Sequence, residues 1–229
     1  MKTIGVIGGL GPETTAEFYL EIVFGSYKKN KQQRPPILIW NVPLRYDIEE
    51  DLIRSSKGEE RYIPYLVAGA KKLERGGADF IVMPCNSLHI FIEDIRKAVK
   101  IPVLSIVEET AKFLREKKFR NVGLLATRTA LKSGLYETAL KKEGISQIVP
   151  HDKDQAMLGE IINNIVLSRH AEKDKRKLVT MINKFEGKAD AVILACTDLQ
   201  LLMPEHDKLE IYDTMKIFAE STVNFCLKQ

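Results

Sequence analysis

The sequence predicts an α/β protein of two similar, pseudo-symmetric lobes, each a parallel-type sheet flanked by helices, with a site in the cleft between them. Two repeats within the chain carry that expectation. Ala78-Asp79-Phe80-Ile81-Val82-Met83-Pro84-Cys85 returns as Ala189-Asp190-Ala191-Val192-Ile193-Leu194-Ala195-Cys196, each an apolar run ending on a cysteine and a polar pair, Asn86-Ser87 and Thr197-Asp198. The segment Lys2-Thr3-Ile4-Gly5-Val6-Ile7-Gly8-Gly9 likewise resembles Arg120-Asn121-Val122-Gly123-Leu124-Leu125-Ala126-Thr127. A continuous apolar run suits a strand covered on both faces by helices, and the residue just past its carboxyl end stands where open α/β sheets bind ligands. Two units, each long enough to hold its own core, indicate a duplication rather than a solenoid.

Apolar runs predict strands over 3–7, 37–41, 80–83, 103–105, 122–126, 145–149, 191–195 and 209–212. Helical periodicity lies between most of them. After Pro12, a favourable first-turn residue, 13–27 sets Phe18, Ile22 and Val23 on one face, and 60–75 does the same with Leu66, Ala70 and Leu73. Gly76-Gly77 and Gly187 stop the helices that lead into the two cysteine strands. Alternating β and α units call for parallel sheets with right-handed crossovers. The first lobe is expected over 1–105 and 214–229, the second over 106–213, with the last helix returning to the first lobe. Residues 43–57, with Arg45, Asp47, Glu49, Glu50, Asp51 and Arg54 and no apolar stripe, form either a flap over the site or a solvated loop.

At 229 residues and 45% apolar content the chain has ample material for a core. The formal charge of +4 is spread along the chain with Lys and Arg among Glu, so nucleic acid is not an expected partner. No secretory leader or bilayer-spanning segment is read at the amino terminus, which predicts a cytoplasmic protein without membrane association. Three cysteines without CxxC spacing predict reduced thiols, and His151, His170 and His206 have no ligand spacing, so no metal is expected.

Gly8-Gly9-Leu10-Gly11-Pro12 lacks the G-x-G-x-x-G register of a dinucleotide site. A tight turn offering backbone N–H groups to a small anion, with Leu10 at its centre as a substrate contact, is the more economical reading. Cys85 and Cys196 are the candidate catalytic groups. Each is expected beside a helix start, whose dipole would favour thiolate, whereas Cys226 in an amphipathic terminal helix is read as packing.

Together, the opening Met1 to Gly9 strand, the Pro84-Cys85-Asn86-Ser87 turn with His89 behind it, Leu124-Leu125-Ala126-Thr127 and the Ala195-Cys196-Thr197-Asp198 turn resemble the aspartate/glutamate racemase family, aspartate racemases most closely. The resemblance covers nearly the whole chain. It implies a two-lobed, cofactor-independent isomerase using two cysteines on opposite faces of an amino-acid or dicarboxylate substrate, and a homodimer. Asn86, Ser87, Thr127 and Thr197 become candidate donors to the α-carboxylate, with Asp198 and Arg45 as further substrate contacts. Family members usually carry Asn-Thr and Thr-Glu after the two cysteines, where this chain has Asn86-Ser87 and Thr197-Asp198. Ile48 and Leu167 stand where aspartate racemases place a flap Arg and a second-lobe Lys, so Arg45 or Arg54 becomes the candidate anchor for a distal carboxylate. A hydantoin racemase, a maleate isomerase and a decarboxylase would use the same cysteine positions differently, and a catalytically silent dicarboxylate binder would show no turnover.

Overall fold

The computed structural model describes residues 1–48 and 58–228. They form two compact units, Met1–Glu109 with Met215–Gln229, and Thr110–Thr214.

The first unit is built on three parallel strands, β1 (Ile4–Gly8), β2 (Ile37–Asn41) and β3 (Phe80–Val82), in the order β2-β1-β3. Every residue of β1 is buried, and both faces of the strand are used. Ile7 joins the core that Leu66, Ala70 and Leu73 of α2 (Ile63–Arg75) share with Ile81 and Met83. Ile4 and Val6, of opposite parity, are equally enclosed. Helix α1 (Pro12–Lys29) buries Phe18 and Ile22, and Phe18 stacks on Phe218 of α9 (Thr214–Leu227) at 5.5 Å between ring centroids. Phe225 of α9 packs on Phe80 at 4.7 Å, and the Lys2 N–H donates to the Cys226 carbonyl. Phe18, Ile22, Phe80 and Phe218, each fully buried, contribute about 1.5–3 kcal/mol apiece by leaving water.

A short helix, α3 (Ile92–Ala98), leads to residues 103–105, where the expected strand is reduced to a single parallel bridge, Ile81 to Val103. The reason is local. Pro102 has no N–H to extend the ladder, and Ser105 already accepts the Glu109 N–H of α4 (Ile106–Glu116).

The second unit contains β4 (Asn121–Ala126), β5 (Ser146–Ile148), β6 (Ala191–Ala195) and β7 (Glu210–Asp213), all parallel, in the order β5-β4-β6-β7. It carries helices α5 (Arg128–Lys132), α6 (Leu135–Lys142), α7 (Asp152–Val166) and α8 (Glu172–Asn183). Leu158 and Ile161 of α7 and Leu178 and Ile182 of α8 close over Leu125, Val192 and Leu194. With the Val103 bridge as fourth position, the order of the first sheet repeats that of the second, so β1, β2 and β3 correspond to β4, β5 and β6.

The repeat extends to close contacts. A Cβ on Gly5 of β1 would lie 2.8 Å from Ala78 Cβ, and one on Gly123 of β4 would lie 2.8 Å from the Phe185 ring. In each sheet the first strand is glycine where the chain entering the cysteine strand crosses it. The aspartate of each repeat then staples the strand starts together: Asp79 Oδ2 accepts the Thr3 N–H at 2.6 Å, and Asp190 Oδ2 accepts those of Arg120 and Asn121 at 2.7 and 2.8 Å. These N–H groups hold the Asp190 carboxyl below the usual carboxylate range.

Candidate active site

In parallel sheets every carboxyl end points to one edge, and the predicted residues sit on those edges. In the first unit Leu10 follows β1, Arg45 follows β2, and Cys85, Asn86 and Ser87 follow β3. In the second unit Thr127 follows β4 while Cys196, Thr197 and Asp198 follow β6; these strands are neighbours, with Ala126 in register with Ala195.

The turn after β1 is held by Thr15. Its Oγ1 accepts the Gly9 N–H at 2.9 Å and donates to the Gly11 carbonyl at 2.9 Å. The reading that this turn offers its N–H groups to an anion is corrected at Gly9, whose N–H is engaged internally. Gly9, at φ 81°, passes so near β2 that a Cβ would fall 2.5 Å from Asn41 Oδ1. Leu10 is partly buried against the first core.

Cys85 is partly exposed, whereas Asn86 beside it is buried. The chain then enters a 3₁₀ turn, Ser87–Phe91, and Cys196 is likewise followed by a 3₁₀ turn, Thr197–Leu202. The helix start expected beside each thiol is thus a 3₁₀ turn, and the first runs directly into α3.

His89 supports the first turn from beneath. It is fully buried, its Nδ1 lies 2.6 Å from the Cys85 carbonyl, and its Nε2 accepts the Ile106 N–H at 3.1 Å. A ring that accepts at Nε2 must donate from Nδ1, so His89 is the neutral Nδ1–H tautomer. Burial pushes its pKa from 6.5 down to about 4, against the opposing pull of the Cys85 carbonyl. The imidazole thus fixes the Cys85 backbone and ties it to the first N–H of α4.

Cys196 is buried, and its Sγ lies 3.6 Å from Asp198 Oδ2, within reach of an S–H donor. Beneath it the fully buried Tyr136 interacts with Thr110 and Thr214; burial first, then the nearby Asp213 and Cys196 charges, raise its pKa against those hydrogen bonds and keep the hydroxyl protonated. Thr214 also donates to the Leu194 carbonyl at 3.1 Å. Thr127 caps α5, its Oγ1 accepting the Ala130 N–H at 3.2 Å. Tyr136 and Thr214 are residues that the sequence pattern does not single out. They occupy ordinary helix positions, and only the tertiary fold brings them together.

Arg45 is exposed and paired with Asp47, Nε to Oδ1 at 2.9 Å, and Arg61 reaches the same carboxylate at 3.3 Å. Asp47 raises the Arg45 pKa, and Arg45 holds the Asp47 carboxyl low. Ile48 is buried in the first core with Val42, so the segment after β2 does carry apolar anchors, contrary to the stripe-free reading. Arg54 and the rest of the expected flap, 49–57, lie outside the described residues. Leu167 is 43% exposed.

Cys226 is buried in α9, its Sγ 3.1 Å from the Lys2 carbonyl, and burial pushes its thiol pKa up. No disulfide joins the three cysteines. A cavity of about 450 Å³ lined by Met203 to Tyr212 contains none of these site residues; its His206 accepts the Lys208 and Leu209 N–H groups at Nδ1 and faces Asn183 at Nε2. Among the described residues no group of three His, Cys, Asp or Glu could hold a metal ion, and no helix is long and apolar enough to cross a membrane.

Paired sheets, each presenting a cysteine past its third strand, match a known family: the model for Asp/Glu/hydantoin racemases aligns with residues 7–222. The chain belongs to the Asp/Glu/hydantoin racemase family. Its members are isomerases that work without pyridoxal phosphate, and this chain is an enzyme of that class. It is 28% identical to the broad specificity amino-acid racemase RacX of Bacillus subtilis over 228 residues, covering 96% of both chains. It is also 28% identical to the glutamate racemase of Aquifex aeolicus over 182 residues, covering 74% of this chain and 67% of the relative. In three dimensions it resembles an aspartate racemase homologue from Pyrococcus horikoshii OT3 with a TM-score of 0.83, 29% identity and full coverage of both chains. The two parallel sheets flanked by helices in this chain match the fold of that structure.

Proposed function

We propose that this racemase acts on amino acids by a cofactor-independent two-base mechanism in which Cys85 and Cys196 each serve one face of Cα. The observation that supports this most is the equivalence of the two turns. Each cysteine stands directly past the third strand of its sheet and is followed by a polar side chain, while Cys226 is sealed into a helix.

In one direction Cys85, as thiolate, removes the α-proton; the Cα–H bond breaks, its electron pair passes toward the α-carboxylate, and Cys196, as thiol, delivers its proton to the opposite face. The enzyme is left with Cys85 protonated and Cys196 as thiolate, the state that runs the reverse direction. Asp198 favours this starting assignment, since a carboxylate beside Cys196 Sγ accepts its S–H and opposes a second negative charge. The carbanion-like state needs fixed donors at the carboxylate. Asn86, Ser87, Thr127 and Thr197 supply them in this reading. Cytoplasmic reduction would keep both thiols available.

Aspartate and glutamate are the leading substrates. A second reading, broader specificity that includes neutral amino acids, is favoured by a specific observation: Arg45 is engaged by Asp47, and Ile48, where the resemblance implies a flap Arg, is buried in the core. Optical rotation of each pure enantiomer, followed with no added cofactor, tests both readings. Cys85→Ser and Cys196→Ser are each expected to abolish racemisation and Cys226→Ser to leave it nearly intact. Activity retained in either of the first two variants contradicts the two-base assignment.

A further inference from the structure

The two cysteine turns are anchored differently. In the first, His89 clamps the Cys85 carbonyl. Gln200 stands in the second turn at the place of His89 in the first, so the second has no imidazole to do the same work. Its anchor lies below, at the end of the sheet. The ladder between β6 and β7 stops at the pair Leu194 and Asp213. A side chain then adds one more bond, because Thr214 Oγ1 donates to the Leu194 carbonyl at 3.1 Å.

Thr214 is the last link of a buried chain of hydroxyls. Thr110 of α4, Tyr136 of α6 and Thr214 are all fully buried, and both threonines hydrogen-bond the Tyr136 hydroxyl. Each hydroxyl has one hydrogen to give. That of Thr214 is committed to the Leu194 carbonyl, so Tyr136 donates to Thr214, and Thr110 in turn donates to Tyr136. The order from Thr110 through Tyr136 and Thr214 to Leu194 is thereby set, and it ends two residues before Cys196. Burial raises the Tyr136 pKa, so the hydroxyl keeps the proton that this order requires. Hydroxyls are a costly filling for a core, and a fully paired set of them fixes geometry more tightly than apolar packing does. Proton transfer depends on such geometry, since a misplacement of about 1 Å can cost about a hundredfold in rate. We propose that Tyr136 is a positioning residue of the racemisation: through Thr214 it fixes the end of β6 and so aims the Cys196 thiol at Cα. Asp198 holds the same thiol from the other side of the turn. The inference rests on the two-base reading of Cys196.

Tyr136→Phe and Thr214→Val each delete one hydroxyl of the chain with little change of volume, and Thr214→Ser keeps it. The test measures kcat and KM by optical rotation on L-aspartate, L-glutamate and L-alanine, with thermal unfolding of every variant. Tyr136→Phe and Thr214→Val are expected to lower kcat by about ten- to a hundredfold with KM within about twofold of the parent, and Thr214→Ser to keep a kcat close to the parent's. Leu140→Val, in the core on the same helix as Tyr136, should lose stability and keep its kcat. A fall in kcat that Leu140→Val shares, a loss that appears in KM instead, or a Thr214→Ser as slow as Thr214→Val overturns the positioning role. Cys196→Ser, assayed alongside, separates this proposal from the reading beneath it. Racemisation retained in Cys196→Ser removes the two-base reading itself, whereas its loss there, with kcat unchanged in Tyr136→Phe and Thr214→Val, overturns the role of Tyr136 alone. Should Tyr136→Phe fail to fold, the two Thr214 variants decide.

Discussion

Replacing His89 with glutamine removes an imidazole that is fully buried and uses both ring nitrogens, one toward the Cys85 carbonyl and one toward the Ile106 N–H. Loss of these bonds, with polar backbone atoms left under-satisfied in the core, is expected to cost about 2 kcal/mol or more at pH 7. The cost then depends on pH. In the folded protein the ring titrates at about 4 instead of 6.5, so between these values the unfolded chain binds a proton that the folded chain does not. Stability from this group is complete above the unfolded pKa of about 6.5 and is lost as pH falls through the folded pKa of about 4. At about 1.4 kcal/mol per unit, the whole shift is worth about 3 kcal/mol. Urea unfolding of wild type and His89→Gln at several pH values between 7 and 4 measures it, because carboxylates common to both proteins cancel in the difference. The stability advantage of the wild type should shrink by about 3 kcal/mol across that range. A difference that does not change with pH, or a His89 ring that titrates near 6.5 by NMR, would refute the neutral buried clamp.

Two further outcomes concern the candidate site. Asp198→Asn removes the charge beside Cys196 Sγ, so the reaction direction that starts from Cys196 thiolate should shift its pH–rate profile to lower pH, while the opposite direction loses rate; unchanged profiles in both directions would detach Asp198 from the thiol. If Arg45 exchanges Asp47 for a distal carboxylate, Arg45→Met should raise KM for aspartate or glutamate about tenfold and leave neutral amino acids little changed. Equal KM values in the variant and the parent would favour the broader specificity.

Much of the fold is legible because the duplicated segments impose the same physics twice. The apolar run 191–195, covered on both faces, reads as a buried strand and coincides with β6, and 37–41 coincides with β2, an edge strand that is only half-buried. The repeated Ala-Asp before each run has its meaning in the staple that Asp79 and Asp190 make to the neighbouring strand start, a contact that no local pattern displays. The strand expected over 103–105 shortens to a bridge because Pro102 and the start of α4 compete for the same residues. The helix starts expected after the cysteines are 3₁₀ turns, a distinction the sequence does not carry because 3₁₀ and α turns share composition and differ only in hydrogen-bond register. His89 is visible in the sequence one turn past Cys85, yet its second partner, Ile106, is brought to it by the tertiary fold. The same holds for Tyr136 and Thr214 beneath Cys196. The anchor for a distal carboxylate is the least legible feature, since a long arginine reaches several partners and Arg45 has taken a local one.

The central claim is that two thiols divide the proton transfers, and early-time isotope partition tests it most directly. A pure enantiomer of aspartate or glutamate is incubated with the enzyme in heavy water, and α-deuterium is measured separately in product and recovered substrate at low conversion. Two bases on opposite faces predict a product that carries solvent deuterium at Cα and a recovered substrate that remains largely protiated, because the thiol that delivers the new hydrogen has exchanged with solvent while the other can return the hydrogen it removed. Product that retains the substrate's own hydrogen would contradict the account, since one group would then be serving both faces.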